Sequence, residues 1–207
     1  VVIEEINMRL DQPWTKVFNA INTLMYPKGH PYERDVIGTP EIIGHVPRQA
    51  LMDYYRAWYS PQNMTTVVVG DVNFEATLEK IQAAFDFDKI PDHGVAEGDE
   101  IKELPKFEPS EKRFHQITSD YQTAFMMIGF HGPPASDLQA TIALDVVSYV
   151  MGEGKSARLS QELIEKQDNS LFNALITSHM TFKLGSVFFI QANMNTHEHE
   201  AILEQVH

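Results

Sequence analysis

The sequence predicts an α+β protein, with antiparallel or mixed sheets packed against helices. Three observations carry that prediction. Apolar residues recur at helical spacing through the opening segment. Short β-branched or apolar runs stand between helical segments in both halves of the chain. And 207 residues, 43% hydrophobic and 22% charged, suffice for a real core in one large domain or two small ones.

In the opening segment Ile3, Ile6, Leu10, Trp14, Val17, Ile21 and Leu24 are three or four residues apart, an amphipathic helical pattern. Pro13 should kink that helix or split it in two. Pro27, Gly29, Pro31, Gly38 and Pro40 mark residues 26–40 as a loop. A helix is expected over about 47–59, with Leu51, Tyr54, Tyr55 and Trp58 on one side and Pro47 in its first turn. The run Thr65–Gly70 predicts a buried strand. Asn73 is a candidate cap for a helix over 74–85, with Leu78, Ile81 and Phe85 inward.

Between Asp86 and Glu111 the composition turns acidic and Pro91, Pro105 and Pro109 interrupt it. A solvated linker at 89–112 is expected there, separating residues 1–88 from 113–207. The second half restarts with strands, over 113–118 and 123–130, and turns at Gly132-Pro133-Pro134. A buried helix over 137–151 follows, carrying Ile142, Leu144, Val146, Val147 and Val150. A further helix is expected over about 157–166, strands over 171–178 and 186–192, and a last helix from about Glu198.

Charge and composition exclude several functions. The 16 basic and 29 acidic residues leave a net charge of −13, unsuited to phosphate backbones, so no nucleic-acid partner is expected. A surface so acidic would tolerate basic peptides, through fields that salt screens. With no cysteine there is no disulfide scaffold, thiolate metal site or cysteine nucleophile. No apolar run approaches the roughly 18 residues of a membrane span, and no signal peptide is visible. The lack of cysteine does not identify the compartment. The chain opens on Val1 in mid-pattern, so a processed chain or excised fragment is expected.

Local chemistry is sparse. Gly152-Glu153-Gly154-Lys155-Ser156 lacks the spacing of a phosphate loop and reads as a helix-ending turn. His197-Glu198-His199-Glu200 is the densest set of metal-ligand types, but its spacing suits a strand rather than one helix face, and a solvated helix start is the reading adopted. His30 reads as a loop residue held by packing. Glu4 and Glu5 flank the apolar stripe on opposite sides, and periodicity does not choose between them.

The order of features is more specific than any one of them. Val1-Val2-Ile3-Glu4-Glu5-Ile6-Asn7-Met8-Arg9 is followed by Asp11-Gln12-Pro13, His30-Pro31-Tyr32, Val36-Ile37-Gly38 and Tyr54-Tyr55. Then come Pro61-Gln62-Asn63-Met64, Val67-Val68-Val69-Gly70-Asp71-Val72, Gly129-Phe130-His131-Gly132-Pro133 and Ser156-Ala157-Arg158-Leu159. This succession, over essentially the whole chain, resembles the insulinase/pitrilysin family of zinc metallopeptidases, especially its mitochondrial and bacterial processing-peptidase branch.

The resemblance implies processing-peptidase-like metallohydrolase domains. It makes residues 1–88 the C-terminal portion of the zinc-bearing domain and 113–207 the N-terminal portion of the second, non-zinc domain. It also implies zinc held by an H-x-x-E-H helix and by a Glu from a neighbouring helix, which maps onto Glu5. H-x-x-E-H is absent from the 207 residues. Hence zinc belongs to an intact parent, and this chain alone is expected to be inactive and to bind none. The family's Arg and Tyr, which steady the oxyanion, fall on Ile164 and on Leu171 or Phe172. A homologous partner subunit or a later domain would then supply that pair. Arg158 reads as a helix-surface residue. The implied function is hydrolysis of extended or unfolded peptides, bound as an added strand. The alternative is a non-catalytic relative acting as scaffold or partner subunit.

Overall fold

The computed structural model describes residues 1–60, 63–85 and 114–195. The chain divides into two compact units, Val1–Gly38 with Pro105–His207, and Thr39–Leu104.

The first unit opens with α1 (Val2–Leu10) and α2 (Pro13–Met25). The break falls where Pro13 predicts it, with Pro13 in the first turn of α2 and the Asp11 N–H closing α1 on the Asn7 carbonyl at 3.0 Å. Residues 26–38 are loop apart from a 3₁₀ turn over Pro31–Glu33. The sheet consists of β1 (Thr123–Gly132), β2 (Phe172–Phe182) and β3 (Gly185–Asn195), in the order β1-β3-β2 and antiparallel throughout. Lys183 and Leu184 alone connect β2 to β3, and a bulge at Asn173 shifts the register near the start of β2.

Alternation assigns the two faces of the sheet. Val187 and Phe189 of β3, both 1% exposed, pack with Ile21, Met25 and Tyr26, and Met127 and Phe182 join from β1 and β2. On the opposite face lies α6 (Leu138–Gly152), capped by Asp137 through the Ala140 N–H at 3.1 Å. It seats its small and hydroxyl-bearing side, Thr141, Ser148 and Gly152. Thr177 of β2 donates to the Ser148 carbonyl at 2.6 Å. A Cβ on Gly152 would lie 2.6 Å from the Thr177 backbone nitrogen, so the close approach of helix and strand requires glycine. Then α7 (Arg158–Ser160) runs directly into a π-helical turn, Gln161–Glu165.

The second unit contains α3 (Pro40–His45), α4 (Arg48–Trp58) and α5 (Phe74–Ala84). Asn73 caps α5 as expected, accepting from the Ala76 N–H at 2.9 Å. The sequence pattern did not indicate α3, although Thr39 caps it and Pro40 opens it. Among the described residues of this unit only Ser60 is buried.

Several expectations are corrected. Thr65–Gly70 forms no strand; Val67 is 77% exposed and Val69 91%. A β-branched run becomes a strand only by pairing, and it finds no ladder partner among the described residues. Likewise no strand forms over 114–118 among the described residues. Leu78 and Phe85 are exposed and Ile81 is half-buried, because α5 has no packed face of its own. The helix at 138–152 is present but not buried all round. Val146 is 57% exposed and Ile142, Val147 and Val150 are exposed with it, because a three-stranded sheet covers one side of a helix that is apolar on every side. The acidic linker and the helix expected from Glu198 lie outside the described residues.

Two substitutions check this packing. Gly152→Ala should destabilise the fold by about 1–3 kcal/mol, the usual cost of overpacking against a fixed backbone, read as a lowered midpoint in chemical denaturation. Tyr26→Phe should change that midpoint by less than about 1 kcal/mol, since its buried hydroxyl has no hydrogen-bond partner among the described residues.

Candidate functional site

Glu5 lies in the first turn of α1, one residue before Ile6, which is the only buried side chain of that helix. Burial of Ile6 turns its neighbours outward, and Glu5 is exposed. Glu4 pairs with the α-amino group of Val1 at 3.5 Å, an exposed contact of little energetic weight. Glu4 and Glu5 are both exposed, so the structure, like periodicity, does not choose between them. Two long-range contacts position this helix pair. Tyr121 donates its hydroxyl to the Asp11 carbonyl at 2.7 Å, and Arg9 lies 3.5 Å from Asp35.

Zinc in a catalytic site takes three protein ligands and keeps one open position. Among the described residues no three His, Cys, Asp or Glu side chains come together to hold a metal. One exposed carboxylate does not make such a site, so these residues do not by themselves fit the metal. His197-Glu198-His199-Glu200 lies outside the described residues.

The positions on which the resemblance would put an Arg and a Tyr hold apolar side chains. Ile164 is half-buried in the π-helical turn, and Leu171 and Phe172 are half-buried where β2 begins. None can donate a side-chain hydrogen bond to an oxyanion. Arg158 is exposed at the start of α7, the helix-surface placement expected of it. Gly154 adopts φ +82° just after α6, the left-handed conformation of a helix-ending turn, which disposes of the phosphate-loop likeness.

Two polar clusters escape the sequence reading. His179 on β2 is 1% exposed in its side chain, and its Nδ1 lies 2.7 Å from the Asp145 carboxylate on α6. The carboxylate only accepts, so Nδ1 donates, and Nε2 is left buried without a partner among the described residues. The pair ties α6 to β2; an aspartate in the middle of an apolar helix was the available signal. The second cluster gathers Tyr26, His30, Tyr32 and His131. His30 is 7% exposed and stacks on Tyr26 at 4.6 Å between ring centres. His131 donates from Nε2 to the Met25 carbonyl at 3.0 Å. His30 is held by packing, as expected of it, but the meeting of Tyr26, on which it stacks, with the distant strand residue His131 has no local sequence signature.

Comparison with known proteins places these features in a family. Residues 45–207 match the family described as the peptidase M16 inactive domain. The zinc protease PqqE of Helicobacter pylori is 29% identical over 167 residues, 80% of this chain and 36% of its own length. An uncharacterized zinc protease of Bacillus subtilis, YmfH, is 34% identical over 104 residues, 50% of this chain and 24% of its own. In structure, a peptidase M16 inactive domain from Pseudomonas fluorescens superposes with a TM-score of 0.76 at 18% identity, over 99% of this chain and 47% of that one. The chain thus spans less than half the length of the relatives it matches. No helix among the described residues is long and apolar enough to cross a membrane. With its mixed α/β architecture and this match over residues 45–207, the chain belongs to the peptidase M16 family.

Proposed function

We propose that these 207 residues are part of a zinc metalloendopeptidase that cleaves extended or unfolded peptides. Residues 1–88 are the C-terminal portion of its zinc-bearing domain, 89–112 an acidic connection, and 113–207 the N-terminal portion of the second domain. The observation that carries this reading is the placement of Glu5. It is exposed on a helix anchored by Ile6, while relatives of the chain are named zinc proteases. In this reading Glu5 is one ligand of a zinc whose histidines lie outside the 207 residues. The chain alone then neither holds zinc tightly nor hydrolyses peptides.

Exposed apolar surface supports the same reading. Among the described residues the second unit buries almost nothing, and Val67 and Val69 have the composition of a central strand but lie in none. Polypeptide outside these residues would cover them, in line with the share of the relatives' length that the chain spans.

Ile164 and Leu171 or Phe172 favour a divided site, in which a homologous partner subunit supplies the oxyanion donors. The same residues favour a second reading, a non-catalytic relative that assembles as a scaffold. Zinc stoichiometry separates the two. The protein extended upstream should bind one zinc, and Glu5→Gln should weaken binding by more than the roughly 10–100-fold that loss of an outer-sphere partner costs. Glu4→Gln should stay within that range. Absence of zinc from the extended protein would establish the scaffold reading.

Division of the site has its own check. Co-expression with a neighbouring homologue should raise cleavage of a flexible peptide by about 100-fold or more, the scale of a lost oxyanion donor. Full activity of the zinc-bearing protein alone would refute it.

A further inference from the structure

We infer that His30 is a proton-sensitive latch: its neutral ring holds Tyr32, which fastens the Tyr26–Glu33 segment to the tip of the β2–β3 hairpin, and protonation releases that segment. The geometry fixes the tautomer. The Tyr32 N–H donates to His30 Nδ1 at 3.1 Å, so the ring proton sits on Nε2. A second proton could enter only at Nδ1, where it would take away the acceptor of the Tyr32 N–H. Tyr32 is in turn the anchor to the hairpin. Its hydroxyl accepts from the Leu184 N–H at 3.1 Å and its ring lies 4.8 Å from that of Phe182.

The surroundings do not welcome a cation. Tyr26, from the end of α2, stacks on the ring, and burial pushes its hydroxyl up to about 12, so it brings no negative charge. His131, from β1, is a second imidazole in the same cluster. Glu33, from the 3₁₀ turn, is the acid of the segment, and its Oε2 is engaged by the Gly29 N–H at 2.7 Å. Burial first, and His131 second, lower the affinity of His30 for a proton below its usual value. The sign follows. The released segment takes up a proton at about pH 6.5 and the latched one only at lower pH, so latching is complete above 6.5 and weakens as pH falls below it. The segment is the stretch through which the chain passes from α2 to the second unit.

Hydrogen exchange in the full-length protein tests this, corrected for the intrinsic pH dependence of exchange. Protection of the Tyr32 and Leu184 amides should fall below about pH 6.5, by at most about tenfold per pH unit, the limit for one proton. His30→Gln keeps an acceptor without a titrating ring and should flatten the profile. His131→Gln should retain the dependence. A flat wild-type profile, or a dependence that survives in His30→Gln, would overturn the latch. Should His30→Gln fail to fold, the His30 ring is titrated by NMR in the wild type. A midpoint below 6.5 that coincides with loss of Leu184 protection supports the latch, and a midpoint at or above 6.5 refutes it.

Discussion

The seat of α2 on the β1–β3 strand pair is the contact on which the rest of the first unit depends. Gly129 makes it close. A Cβ there would crowd Met25 and would lie 3.1 Å from Ile21 Cδ1. With that hydrogen in place of a side chain, Ile21 and Met25 reach Val187 and Phe189 and close the densest part of the core. Everything N-terminal is then located by it. Trp14 meets Phe125 edge-on at 5.1 Å, and α1, with one buried side chain, inherits its position from α2 and from the Tyr121 and Arg9 contacts. The loop after Met25 begins at the same seat, which is why Tyr26, His30 and His131 meet there.

On the other face the logic is inverted. A helix rich in valine, isoleucine and leucine would be expected to press those residues on the sheet. Instead α6 seats threonine, serine and glycine, because the backbone of β2 comes too close for larger groups. Of the hydroxyls so buried, Thr177 donates to the Ser148 carbonyl, while Thr141 Oγ1 has no hydrogen-bond partner among the described residues. The cost of this arrangement is that the branched side chains of α6 remain uncovered. A helix apolar on all sides is typical of a protein interior, yet one side of α6 is exposed here.

Most local signals were legible, the Thr39 cap and Pro40 that open α3 being the exception. Pro13 split the opening helix, Asn73 capped α5, Asp137 lies at the start of α6, and the apolar run at 123–130 became β1. Thr65–Gly70 and 114–118 were not legible as loops, because strand propensity is a statement about fitting a sheet and says nothing of whether one is at hand. Burial along α6 was misread for a related reason: apolar content on every face cannot say which face is taken. The His30 cluster and the His179–Asp145 pair join residues far apart in sequence, and only the sheet register brings them together. For the candidate ligand, the family's order of motifs selected Glu5, and periodicity could not.

A single carboxylate shows how much a site of this kind owes to its surroundings. Metal ligands and oxyanion donors work only when held within about half an ångström of their productive positions. Ile6 and the Arg9 and Asp11 contacts locate α1 as a whole, while Glu5 itself lies exposed in its first turn. At Ile164 and Leu171 the half-buried side chains are apolar and offer no hydrogen-bond donor, so an oxyanion held there would depend on groups from elsewhere. An exposed acid and apolar positions of this kind are compatible within one chain, because each would be only one part of a site.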